Sequence, residues 1–74
     1  EGGVKMKTKA RILLESLTKN QVLQHKKEKG FYIEKYEDQF IINRNGKVIV
    51  NVETAEKIVK HHDTRNWQVK EAIS

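Results

Sequence analysis

Residues 31–52 read FYIEKYEDQFIINRNGKVIVNV, and this stretch decides the fold. Three runs rich in aromatic and β-branched residues, 31–36, 39–43 and 47–52, alternate in polarity and are separated by turn residues, which predicts a three-stranded antiparallel meander. The second turn sets the register. A two-residue Asn45-Gly46 loop would place Arg44 opposite Lys47 and send Phe40 and Ile42 to the face away from Val48, Val50 and Val52. A three-residue loop, with Asn43 opening a type I turn and Gly46 in its left-handed position, pairs Ile42 with Val48 and Phe40 with Val50. A two-residue loop at Glu37-Asp38 pairs Ile33 with Ile42.

In that register one face gathers Phe31, Ile33, Phe40, Ile42, Val48, Val50 and Val52. A slip of one residue would scatter the set, and the face needs helices to cover it. The other face carries Tyr32, Glu34, Tyr36, Ile41, Asn43, Lys47, Ile49 and Asn51, a mixture that is neither core nor plainly solvated.

Upstream, Ile12, Leu13, Leu17 and Leu23 form an apolar stripe that predicts helix over 7–29. Thr18-Lys19-Asn20-Gln21 fits a capping box, flanked by Leu17 and Val22 as a staple, so two helices are expected, 7–17 and 19–28, with Gly30 as the stop. Followed by a hairpin, they faintly resemble a helix-turn-helix with a wing, although the link at Thr18 is short for that turn. Downstream, 54–62 reads as helix, capped by Thr54, with Lys60, His61 and His62 in its last turn. Residues 64–73, with Trp67, Val69 and Ile73, fit strand or helix, and helix is the expectation. The fold class is therefore α+β: an N-terminal helical segment, a three-stranded antiparallel meander and a C-terminal helix, in two layers.

The chain is 74 residues long, which is one small domain. A domain of this size buries only roughly 60% of its unfolded surface, so a partner subunit is a natural source of further stability. There is no cysteine, so disulfides and thiolate metal sites are excluded. No apolar run approaches the length of a membrane span, and residues 1–7 lack a signal-peptide core. A cytoplasmic setting with no membrane partner follows as an expectation. Residues 1–6 are expected to be disordered, with Met6 as the natural start. The lysine bias without proline or cysteine resembles the composition of many small bacterial or phage proteins, and no motif assigns a family.

The net charge is +5. Residues 1–30 hold eight basic residues against three acidic ones, whereas residues 31–74 hold seven of each. The excess sits upstream of the meander, which points to an anionic partner. Lys7, Lys9, Arg11, Lys19, Lys26, Lys27 and Lys29 are the candidate nucleic-acid contacts, because lysine-rich surfaces neutralise phosphates. They fit a solvated helix face equally well. Asn20, Gln21 and Gln24 are the side chains there that could read bases.

Tyr32 and Tyr36, with Ile41, Lys47 and Ile49, form the second candidate. Aromatics beside cations stack unpaired bases, and the same set fits burial against a second subunit or beneath Trp67. No catalytic site is expected. The adjacent His61 and His62 point about 100° apart on a helix and cannot chelate one ion; Glu37-Asp38 reads as a turn; no nucleophile stands with a base. No metal or cofactor is expected. Two readings result: a small basic non-enzymatic nucleic-acid-binding module using an N-terminal lysine-rich helical surface, or a protein-interaction module (regulator, inhibitor or homodimer) using the exposed sheet face.

Overall fold

The computed structural model of the protein describes residues 7–71; Met6, the stretch 1–6 and residues 72–74 lie outside the described part. Helix α1 spans Lys9–Ser16. Thr8 caps it, its Oγ1 accepting from the Arg11 N–H at 3.1 Å, and it stops where Leu17 turns extended. Ala10 and Leu14, one turn apart, are its buried residues.

The second expected helix, 19–28, is a strand. β1 runs Gln21–His25. Half of the anticipated capping box does form, in that Gln21 Oε1 accepts from the Thr18 N–H at 3.1 Å. The Gln21 N–H, however, donates to the Thr18 carbonyl at 3.0 Å, so the four residues make a tight turn that launches a strand. With no second helix there is no helix-turn-helix. Gly30 is not a left-handed helix stop either, since among the described glycines the positive φ belongs to Gly46.

The strands β2 (Tyr32–Tyr36), β3 (Gln39–Asn43) and β4 (Lys47–Val50) follow the expected order and register, but β2 starts after Phe31 and β4 stops at Val50 rather than at Val52. Ile33 pairs with Ile42, Ile42 with Val48 and Phe40 with Val50. The loop has the expected three residues but is not the expected type I turn, because the backbone is already left-handed at Asn45 (φ 57°) as well as at Gly46 (φ 139°). Helix α2 spans Val52–His61. Its cap is Asn51, not Thr54: Asn51 Oδ1 accepts from the Thr54 N–H at 2.8 Å, and the helix begins as soon as β4 ends. A 3-10 turn at Thr64–Asn66 leads into β5, Trp67–Glu71, where a helix was expected.

The sheet accordingly has five strands, not three, in the order β4-β3-β2-β1-β5, every neighbouring pair antiparallel. The α+β class stands, and the three-stranded meander is its outer part. Both helices lie on one face. Leu23, Phe31, Ile33, Phe40, Ile42 and Trp67 from that face close the core with Ala10, Leu14, Leu17, Ala55 and Val59. Trp67 is therefore in the core rather than over the opposite face. Helix α1 is tied to α2 through Glu56, whose carboxylate accepts from Thr8 Oγ1 at 2.5 Å and from Arg11 Nε at 2.9 Å.

Candidate nucleic-acid interface

The registers place Tyr32, Tyr36, Ile41, Lys47 and Ile49 together on the face that no helix covers. Two rows cross it. One runs Lys47, Asn43, Tyr32, Gln24, Gln68, and the next runs Ile49, Ile41, Glu34, Val22, Lys70. Tyr32 and Ile41 are half-buried among their neighbours, whereas Tyr36 and Ile49 are about half exposed, at 48% and 54%. Glu34 is held in place by Asn43, whose amide donates to its carboxylate at 2.9 Å. The central part of the face thus offers aromatic surface and hydrogen-bonding groups, with one carboxylate among them.

The seven basic candidates do not share a helix. Lys7 precedes α1 and donates to Glu15 at 2.6 Å, which with nearby Arg11 and Lys35 holds the Glu15 carboxyl below its usual value. Lys9 opens α1, exposed. Arg11 is engaged by Glu56 at 2.7 Å. Lys19 lies in the turn before β1, at the far end of the sheet. Lys26, Lys27 and Lys29 are exposed in the loop between β1 and β2.

That loop is built, and Gln24 builds it. The Gln24 amide lies 3.1, 3.0 and 3.1 Å from the carbonyls of Glu28, Lys29 and Phe31, so its donors hold the loop rather than offering themselves to bases. The Lys26 N–H donates to the Asn66 carbonyl at 2.6 Å, and the Lys27 N–H donates to His25 Nδ1 at 3.2 Å. Beneath the loop His25, Phe31, His62 and Trp67 stack in a cluster with ring centroids 4.8 to 6.0 Å apart. The Arg44 guanidinium sits 4.7 Å over the Phe31 ring and pairs with Glu28 at 2.7 Å. Burial, reinforced by the nearby positive groups of His61 and Arg44, lowers the pKa of His62.

Charge is therefore sorted by the fold. At the end of the sheet where β1 finishes stand Lys26, Lys27, Lys29, Arg44, Lys47 and Arg65, against Glu28 and Asp63 alone. Both of those carboxylates are engaged, Glu28 by Arg44 and Asp63 by Arg65 at 3.1 Å. Among the described residues Lys26, Lys27, Lys29 and Lys47 make no salt bridge. The opposite end is nearly balanced, with Glu15, Glu37, Asp38, Glu53 and Glu71 beside Lys7, Lys19, Lys35 and Lys70. Arg44, Lys47 and Arg65 come from parts of the chain whose own charge is balanced, so only the fold brings them beside the lysine loop.

His61 and His62 lie at the end of α2, and no group of three or more His, Asp or Glu side chains among the described residues could hold a metal. None of the helices described is long and apolar enough to cross a membrane. Comparison with protein-family models, with curated proteins and with solved structures finds no match.

Proposed function

We propose that the protein is a small, non-enzymatic nucleic-acid-binding module whose phosphate contacts come from the β1–β2 loop and its surroundings. The observation that carries this reading is the group of Lys26, Lys27, Lys29 and Lys47, unbridged and exposed at one end of the uncovered sheet face. A patch of one sign at the edge of an open surface concentrates anions there. The loop is held by Gln24, His25 and Asn66, so the backbone that carries its lysines is fixed before a ligand arrives.

In the neighbouring row Tyr32 offers a ring on which an unstacked base can lie, and Gln68 an exposed amide further along it. Glu34 keeps phosphates off the middle of the face and can accept from a base amino group. A single strand running from the lysine end onto this face satisfies both chemistries.

Fluorescence anisotropy of labelled single-stranded and duplex oligonucleotides tests the reading. Four phosphate contacts to a single strand lower the affinity on the order of 50-fold between about 50 and about 200 mM salt. Binding with that salt dependence and a preference for the single strand is the expected result. No binding at the lower salt refutes it.

A further inference from the structure

We propose that the protein self-associates through β4, whose free edge pairs antiparallel with β4 of a second copy about a two-fold axis. β4 is one of the two outer strands of the sheet. Its Val48 and Ile49 point to opposite faces and are 55% and 54% exposed. An outer strand ordinarily carries charges that discourage pairing. β5, at the other edge, does so with Lys70 and Glu71. β4 is apolar from Val48 to Val50, with Lys47 only at its start.

The sorting of charge along the strands selects the partner and its direction. Lys47 and Arg44 stand at one end of β4; Asn51, Glu53 and the Asp38 turn stand at the other. A parallel arrangement would bring like ends together. The antiparallel one sets each basic end beside the acidic end of the other copy, and it does so twice, as a two-fold interface requires. A pairing centred on Ile49 places Ile49 opposite the partner's Ile49 and Val48 opposite the partner's Val50. Lys47 then faces the partner's Asn51 and lies near the partner's Glu53. Centring on Val48 would instead oppose Lys47 to the partner's Ile49. The two sheets become one continuous sheet with all helices on the same face. This inference does not depend on nucleic-acid binding.

Four residues make a short interface, so the association is weak. Sedimentation equilibrium from about 10 µM to about 1 mM should show the average mass rising from 8.7 kDa toward twice that value. Ile49→Lys, at a largely exposed position, should leave the circular dichroism unchanged and hold the mass at the monomer value. The chain has no cysteine, so Ile49→Cys provides an independent probe. Directly opposed antiparallel residues lie within the reach of a disulfide, and mild oxidation should link this variant into dimers. Val69→Cys on β5 should remain monomeric under the same treatment. A wild-type protein that stays monomeric throughout, an Ile49→Lys variant that dimerises as well as the wild type, or cross-linking at Val69 rather than Ile49 overturns the proposal.

Discussion

Trp67 Nε1 donates to the backbone carbonyl of Val59 at 3.2 Å, both residues being buried. Val59 lies in the last turn of α2, where carbonyls have no helical partner. The Asp63 N–H, which would be its i+4 donor, goes to Lys60 at 3.1 Å instead. The indole therefore finishes the helix and fixes β5 beneath it with one bond.

Replacing Trp67 by Phe keeps an aromatic ring but leaves the Val59 carbonyl buried without a donor. The loss of stability should be about 2 kcal/mol, from the unpaired carbonyl and the vacated volume together. Urea unfolding measures it, and a change within error would show that water replaces the indole.

Acid should destabilise the protein in two stages. Burial lowers the pKa of His62 in the fold, so the unfolded chain takes up a proton first. Stability present above the unfolded value of about 6.5 should decline as pH drops toward the folded value. Hydrogen bonds from Thr8 and then Arg11 lower the pKa of Glu56, and Arg65 does the same for Asp63. Their contribution is present above the ordinary carboxylate range and should be lost as pH falls through the lowered values. Urea midpoints against pH should show both declines; His62→Gln should reduce the first alone and Glu56→Gln the second alone.

Glu37 holds φ at 55° in the β2–β3 turn, a conformation that costs an L-residue roughly 1–2 kcal/mol. Glu37→Gly should raise stability by about 0.5 kcal/mol after the added freedom of the unfolded glycine is offset. Gly46→Ala should lower it by about 1 kcal/mol, because φ is 139° there. Thermal unfolding of both variants should move the transition in opposite directions.

If the lysine loop carries phosphate binding, Lys26→Gln with Lys27→Gln should weaken oligonucleotide affinity at least tenfold and flatten its salt dependence. Lys7→Gln with Arg11→Gln removes the same charge from groups already engaged by Glu15 and Glu56 and should change affinity less than threefold. Tyr32→Ala should cost single-strand binding on the order of tenfold. Equal losses from the two charge pairs would indicate a diffuse attraction, not a site.

Local chemistry made the register of the meander legible, although not where its third strand ends, since Val52 opens α2, nor that Val48 would stay 55% exposed. The Asn43–Gly46 turn and the run of β-branched residues admit only one register that keeps Phe40, Ile42, Val48 and Val50 together. β1 was hidden because Gln21, Gln24, Lys26 and Lys27 suit helices, and because Val22 is apolar on the open face, which erases the alternation. Its strand character comes from two neighbours far along the chain. β5 was ambiguous for the same reason, since Val69 and Trp67 fit either period. The lysines themselves were visible, but their meeting with Arg44, Lys47 and Arg65 was not, because it needs the pairing of β1 with both β2 and β5. Gln24 could have been suspected only from the polar side chain it places beside a loop of unpaired carbonyls.

The β1–β5 ladder joins Gln21 to Glu71, whose side chains hydrogen-bond at 3.1 Å across a separation of 50 residues. Every other strand pairing closes a short hairpin and can form within microseconds of its residues becoming available. β1 must wait, pairing on one side only, until the whole intervening chain has been laid down. Loop-closure entropy favours the local hairpins first and makes the docking of β5 the slow step. Until that step β1 is a raw edge, open to pairing with another chain.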